Sequence, residues 1–168
     1  MTIYYRIDSI MLERMINDNS VQAGIYAQAY RFFEASNMFA YLFAALLLPI
    51  FSRMLKNNES VYELVTFSFK LLMSFGLMLS VFCFFYSYEI MDIRYVENIT
   101  ESSVVFKILM ICFLCVSSTY IYGTLLTANG NLFYLNLVAA FGVILNVVLN
   151  LILIPQYNAI GSATASLI

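Results

Sequence analysis

Residues 24–53, GIYAQAYRFFEASNMFAYLFAALLLPIFSR, form an apolar run long enough to cross a bilayer, yet Arg31 and Glu34 stand inside it. A spanning helix needs about 20 mostly apolar residues. A central arginine costs roughly 2.5–3.5 kcal/mol on insertion scales, so such a residue usually faces a protein interior or a watery cavity. Arg31 is therefore the leading candidate for a substrate-binding cation. Glu34 is three positions on, which puts it on the same helix face within reach of Arg31. With Gln28 the two make a polar stripe about 120° wide, leaving Phe33, Leu42 and Leu46 for lipid or for other helices. The competing reading is a self-neutralising Arg31–Glu34 pair that only joins two helices.

Composition carries the reading to the whole chain. Of 168 residues, 62% are hydrophobic and 11% charged, and mean hydropathy is +0.85. A soluble domain carries roughly 25% charge, so this chain lacks the polar surface to stay in water. The sequence implies an all-α, polytopic integral membrane helix bundle with no separate soluble domain. Net charge is −2, without a basic or acidic block, so no nucleic-acid partner is expected. The opening MTIYYRIDSIML has no basic leader ahead of a clean apolar core, so no cleavable signal is expected either.

Nothing in the residue set builds an enzyme. Histidine is absent, and Cys83, Cys112 and Cys115 all lie in apolar runs. Cys112-Phe-Leu-Cys115 has the C-x-x-C spacing, but Ile111, Leu114 and Val116 around it deny the exposed, electropositive setting of a reactive thiolate. No carboxylate cluster has ligand spacing, so neither a metal nor another cofactor is expected. No nucleophile with a base and no phosphate loop is present to organise catalysis.

Helices are expected over about 1–16, 21–52, 61–88, 104–127, 132–154 and 159–168: five apolar spans and a stub, the first and last partial. Arg6 and Asp8 are two apart, hence about 200° around a helix, so they cannot share a face. One is expected to face a cavity and the other an edge or a neighbouring helix. Lys70, about two and a half turns into its helix, either lines a cavity or snorkels to an end. Residues 89–103 are the one substantial loop, acidic through Glu89, Asp92, Glu97 and Glu101, with a glycosylation pattern at Asn98-Ile99-Thr100. Ala128-Asn129-Gly130-Asn131 reads as a tight turn, with Gly130 suited to positive φ. Gly142, Asn146 and Asn150 fall at i, i+4 and i+8 as a seam of small and amide residues, a helix-packing pattern rather than a substrate site. The loops on one side carry Arg53 and Lys56 and those on the other Arg14 and Arg94, so charge leaves the orientation open.

Three stretches together resemble the polysaccharide (O-antigen type) and lipid-linked oligosaccharide flippases of the multidrug/oligosaccharidyl-lipid/polysaccharide exporter superfamily. The first is Tyr5-Arg-Ile-Asp8-Ser-Ile-Met-Leu12 followed by Gly24-Ile-Tyr26-Ala-Gln-Ala-Tyr30-Arg31. The second is Arg31-Phe-Phe-Glu34 with Leu48-Pro49-Ile-Phe-Ser52 downstream, similar to the arginine helix of the lipid II flippases. The third is Gly123-Thr-Leu-Leu-Thr-Ala-Asn-Gly130, then Asn146-x3-Asn150-x3-Ile154-Pro155 and Gly161-Ser-Ala-Thr-Ala.

The resemblance implies a MATE-like fold of two six-helix lobes followed by two more helices, of which this chain matches about helices seven to twelve. It implies translocation of an undecaprenyl-diphosphate-linked oligosaccharide across a bacterial inner membrane for lipopolysaccharide or other surface polysaccharide. A coupling ion, H+ or Na+, membrane lipid and an N-terminal lobe outside this chain are the implied partners. Arg31 matches a cavity arginine, whereas Arg6, Asp8, Glu34 and Lys70 are cavity or gating candidates by membrane burial alone. Independently of family, an arginine fork can meet diphosphate oxygens bidentately in a low-dielectric cavity. A multidrug or cation antiporter of the same superfamily would instead show acidic cavity residues. A non-transporting truncated fragment is the third reading, because repeat-built carriers work by rocking one half against the other.

Overall fold

The computed structural model describes residues 2–15 and 19–168, with side chains placed for residues 8, 10–15 and 21–168. Six helices follow in order: α1 (Thr2–Met15), α2 (Asn19–Lys56), α3 (Tyr62–Phe85), α4 (Ser87–Arg94), α5 (Ile99–Ala128) and α6 (Leu132–Leu167). Helix accounts for 91% of the described residues, which contain no strand. Four segments, Val21–Lys56, Tyr62–Phe85, Ile99–Ala128 and Leu132–Leu167, are long and apolar enough to cross a bilayer. The chain is a multi-pass membrane protein. Among the described residues four of the five expected spans qualify; α1, expected as a partial helix, has 14 residues against the roughly 20 a crossing requires.

The packing axis is the pair α2 and α5. Ile25, Ala29, Phe33, Asn37, Ala40, Ala44, Leu47 and Phe51 recur every three or four residues along α2 and are all buried, the stripe expected of a helix that buries one face. The alanines in it let the α5 backbone come close. On α5, Val105, Phe106, Leu109, Met110, Phe113 and Ile121 fill the opposing face. Packed on α5 from other sides are α3, α4 and α6, while α1 sits in the angle between α2 and α6. On α3, Val65, Ser68, Leu72, Gly76, Ser80 and Cys83 face inward, and the Ser80 hydroxyl donates to the Met110 carbonyl at 2.9 Å. Its outer face shows Phe67, Leu71, Phe75, Met78 and Phe82. In a membrane protein that face is matched to lipid.

Two boundaries differ from expectation. The acidic stretch 89–103 is not one loop: α4 runs through Ser87–Arg94 and α5 already begins at Ile99. Buried Met91 and Ser87 give the short α4 a face to hold against α5, a tertiary contact that no long period announces. Asn98, at φ 55°, makes the bend between them. Pro155 does not stop α6. It removes its own N–H and so one donor to the Leu151 carbonyl, but the break comes three residues later, at Asn158 with φ 51° and ψ −130°. Asparagine tolerates positive φ better than most residues.

Beyond Asn158 the second limb of α6 turns back along the first. A Cβ on Gly161 would collide with the Leu153 carbonyl oxygen, so only glycine fits that crossing. The turn at 128–131 forms as expected, with Gly130 at φ 76°.

Candidate functional site

The return of α6 gathers polar side chains from four segments around Asp8. Asp8, on α1, is 1% exposed. Its Oδ1 accepts from Asn150 Nδ2 at 2.6 Å. Its Oδ2 accepts from the Tyr26 hydroxyl at 3.0 Å and from Ser166 Oγ at 2.6 Å. Asn150 Nδ2 also donates to Asn146 Oδ1 at 3.1 Å, one helical turn earlier on the first limb of α6. Ser166 is held in turn on the second limb, where its carbonyl accepts from Cys112 Sγ at 3.1 Å.

Each contributor is there for a local reason. Tyr26 lies on the buried stripe of α2. Asn146 and Asn150 share one face by their i, i+4 spacing, and Ser162 and Ser166 share one on the returning limb. Small residues Gly161, Ala163 and Ala165 let that limb press into the bundle.

Three buried polar atoms of this cluster have no hydrogen-bond partner: Asn146 Nδ2, Asn150 Oδ1 and Ser162 Oγ. Among the described residues no cation pairs with Asp8, whose bonding partners are all neutral. A bare carboxylate enclosed in an apolar bundle is costly, and proteins avoid it by neutralising the charge. Three hydrogen bonds offset part of that cost. A proton or a small cation would remove the rest. One carboxylate with neutral amide and hydroxyl oxygens, among them the free Asn150 Oδ1 and Ser162 Oγ, matches a hard cation of single charge better than a divalent one. Among the described residues no group of three acidic, histidine or cysteine side chains gathers into a metal site.

The other candidates are placed differently. Arg31 and Glu34 are both exposed on α2, and among the described residues no hydrogen bond or ion pair joins them. The expected stripe is therefore corrected: Gln28 turns inward, its Oε1 accepting from Ser102 Oγ of α5 at 2.5 Å. Phe33 is buried against the core whereas Leu42 and Leu46 are exposed. Eleven residues make about three full turns, so Leu42 shares the Arg31 face instead of opposing it. Lys70 is exposed on α3 beside the buried Ser68 and Leu72 stripe. The Arg6 side chain lies outside the described residues.

The seam Gly142–Asn146–Asn150 is also corrected. Asn146 and Asn150 are buried, but nothing stands within 4 Å of a Cβ at Gly142, so that residue marks no close helix crossing. Tyr26, Ser162 and Ser166 were not identified from sequence as site residues. Their only signal was polarity at helical spacing inside apolar runs.

A separate groove of about 680 Å³ runs between α2, α5 and α6, with Phe69 of α3 at its side, and has no charged residue in its lining. The hydroxyls of Ser118, Thr119, Thr124 and Thr127 in it donate to carbonyls of their own helix. They therefore leave its surface mostly hydrocarbon. No protein-family model, curated protein or solved structure matches this chain.

Proposed function

We propose that this chain is one lobe of an ion-coupled membrane carrier that moves an anionic, lipid-linked oligosaccharide, in the manner of the polysaccharide flippases it resembles. The observation that carries the reading is the division of charge between two places. Asp8 is buried and tied to three neutral donors, and among the described residues no cation pairs with it. Arg31 stands exposed on the α2 face turned away from α5. A buried carboxylate that must be neutralised from outside supplies the coupling half of a carrier. An exposed guanidinium on a membrane helix supplies the cargo half, because it needs an anion or a polar cavity to justify its place there.

In this reading a second lobe faces the Arg31 side of α2, and the cavity between the lobes admits a diphosphate headgroup. The guanidinium fork meets two phosphate oxygens at once, and Glu34, three residues away, competes for it when the cavity is empty. Uptake of H+ or Na+ at Asp8 releases the strain of the buried charge and biases one of two packings of α1 against α2 and α6. The setting is a bacterial inner membrane and the product a surface polysaccharide. No covalent chemistry is involved.

The test is a flipping assay in vesicles holding the complete two-lobe carrier. Arg31→Ala is expected to abolish movement of the lipid-linked oligosaccharide and Arg31→Lys to keep part of it. Asp8→Asn should leave cargo binding but remove the response to an ion gradient. Full transport by the alanine variant removes Arg31 from the mechanism. Movement of a cationic dye through Glu34, without any effect on lipid-linked sugar, would establish the antiporter reading instead.

A further inference from the structure

At one end of the bundle a cavity of about 140 Å³ is lined by Gln22, Ile25, Glu101, Val105, Tyr157 and the start of the second α6 limb at Asn158 and Ala159. It has room for several waters. Among the described residues its lining carries one charge, the exposed Glu101. Gln22 bridges two walls: its Nε2 donates to Glu101 Oε2 at 3.4 Å and its Oε1 accepts from the Ala159 backbone N–H at 3.3 Å. Both bonds are near the outer limit of hydrogen-bond length, so the bridge is weak.

Two lining residues of this cavity are about one helical turn from members of the Asp8 cluster. Gln22 is one turn before Tyr26 on α2, and Ala159 is one turn before Ser162, whose buried hydroxyl has no partner. One turn is about 5.4 Å. We infer that this cavity is the vestibule through which the coupling cation reaches Asp8, with Glu101 collecting the ion at the mouth and the Gln22 side chain acting as the latch. The inference rests on the coupling role given to Asp8 above. The mouth carboxylate raises the local cation concentration, an effect that salt screens. The latch opens by rotating one side chain, with no change in the helices.

Among the described residues the titratable groups around the path are few. Tyr26 from α2 touches Asp8, and Cys112 from α5 sits one residue contact away through Ser166. The facing residues of α6 are the neutral Asn146, Asn150, Ser162 and Ser166. The Glu101 carboxylate accepts from Gln22, and Tyr157 shares the cavity lining with it.

Rapid-mixing infrared spectroscopy on the full purified chain tests this. The carboxyl band of Asp8, isolated by difference against Asp8→Asn, is followed after a sodium jump at fixed pH and after a pH jump without sodium. Glu101→Gln should slow the response about threefold to tenfold at low salt, with the gap closing at high salt, and should leave its final amplitude unchanged. In a Cys115→Ser background, Gln22→Cys labelled with a bulky, water-soluble thiol reagent should slow it at least tenfold. Reductive removal of the label should restore the rate, which separates blockage from misfolding. A band that responds to both jumps at the same rate in labelled and unlabelled protein overturns the vestibule while keeping the Asp8 site. A band that responds to neither jump overturns both.

Discussion

Asn150 and Asp8 are 142 residues apart in sequence, yet the amide of one donates to the carboxylate of the other at 2.6 Å inside the bundle. The bond joins the 14-residue α1 to the 36-residue α6, and among the described residues it is the hydrogen bond that Oδ1 accepts. Replacing Asn150 by leucine keeps the branching, adds some bulk and leaves a buried oxygen without its partner. The expected loss is about 1–3 kcal/mol, read as a lower midpoint of thermal unfolding in detergent. Tyr26→Phe should cost less, about 1 kcal/mol, because Oδ2 keeps Ser166. A double-mutant cycle with Asp8→Asn isolates the pair from the packing change. Additive losses would mean that the contact contributes nothing.

That bond also shows where the sequence stopped speaking. The apolar runs and their 3.6-residue period placed α2, α3, α5 and α6, because a stripe such as Ile25, Ala29 and Phe33 is a local property of the chain. Asp8 was identifiable as a charge in the wrong solvent, and Asn146 with Asn150 as a face of amides. Their meeting was not legible, since it depends on the turn at Asn158 that carries Ser162 and Ser166 back beside them. The same limit explains the Arg31–Glu34 pair. Spacing put the two on one face, but a shared face allows contact without requiring it, and water or cargo competes for both groups. The helix α4 was lost in an acidic stretch because eight residues give too few turns for a period to emerge.

Arg31 should separate stability from activity. Its side chain is exposed, so Arg31→Ala is expected to change unfolding free energy by no more than about 0.5 kcal/mol. Transport should nevertheless fall below detection. A variant that loses transport and also unfolds well below the parent chain would place Arg31 in the structure instead of the cargo path.

The three thiols should react in the order of their exposure. Cys83 is 8% and Cys112 2% exposed, whereas Cys115 is exposed on α5. A membrane-permeant maleimide added to folded protein should therefore modify one site, lost in Cys115→Ser, and all three only after denaturation. Stoichiometric labelling of Cys112 in the folded chain would mean that the second α6 limb leaves its seat, because that thiol donates to the Ser166 carbonyl.

Gly161 should be the least replaceable glycine. Its missing Cβ leaves room for the Leu153 carbonyl oxygen, with which a Cβ would collide, and for Leu153 C at 2.6 Å and Ile154 N at 3.1 Å. These are backbone atoms, so no side chain can rotate aside, and relief requires the two α6 limbs to move apart. That movement draws Ser166 off Asp8 and strains the Asn158 turn at the same time. Gly161→Ala is accordingly expected to cost about 3 kcal/mol, the upper part of the range for overpacked cores, and to diminish ion response at Asp8. Gly76→Ala is the control: its Cβ would meet Leu114, Phe113 and Ser117 side chains at ordinary distances of 3.7–3.9 Å. That variant should match the parent chain or exceed it slightly, since alanine favours the helix. Equal unfolding midpoints for the two alanine variants would show that the limbs of α6 are not held in this crossing.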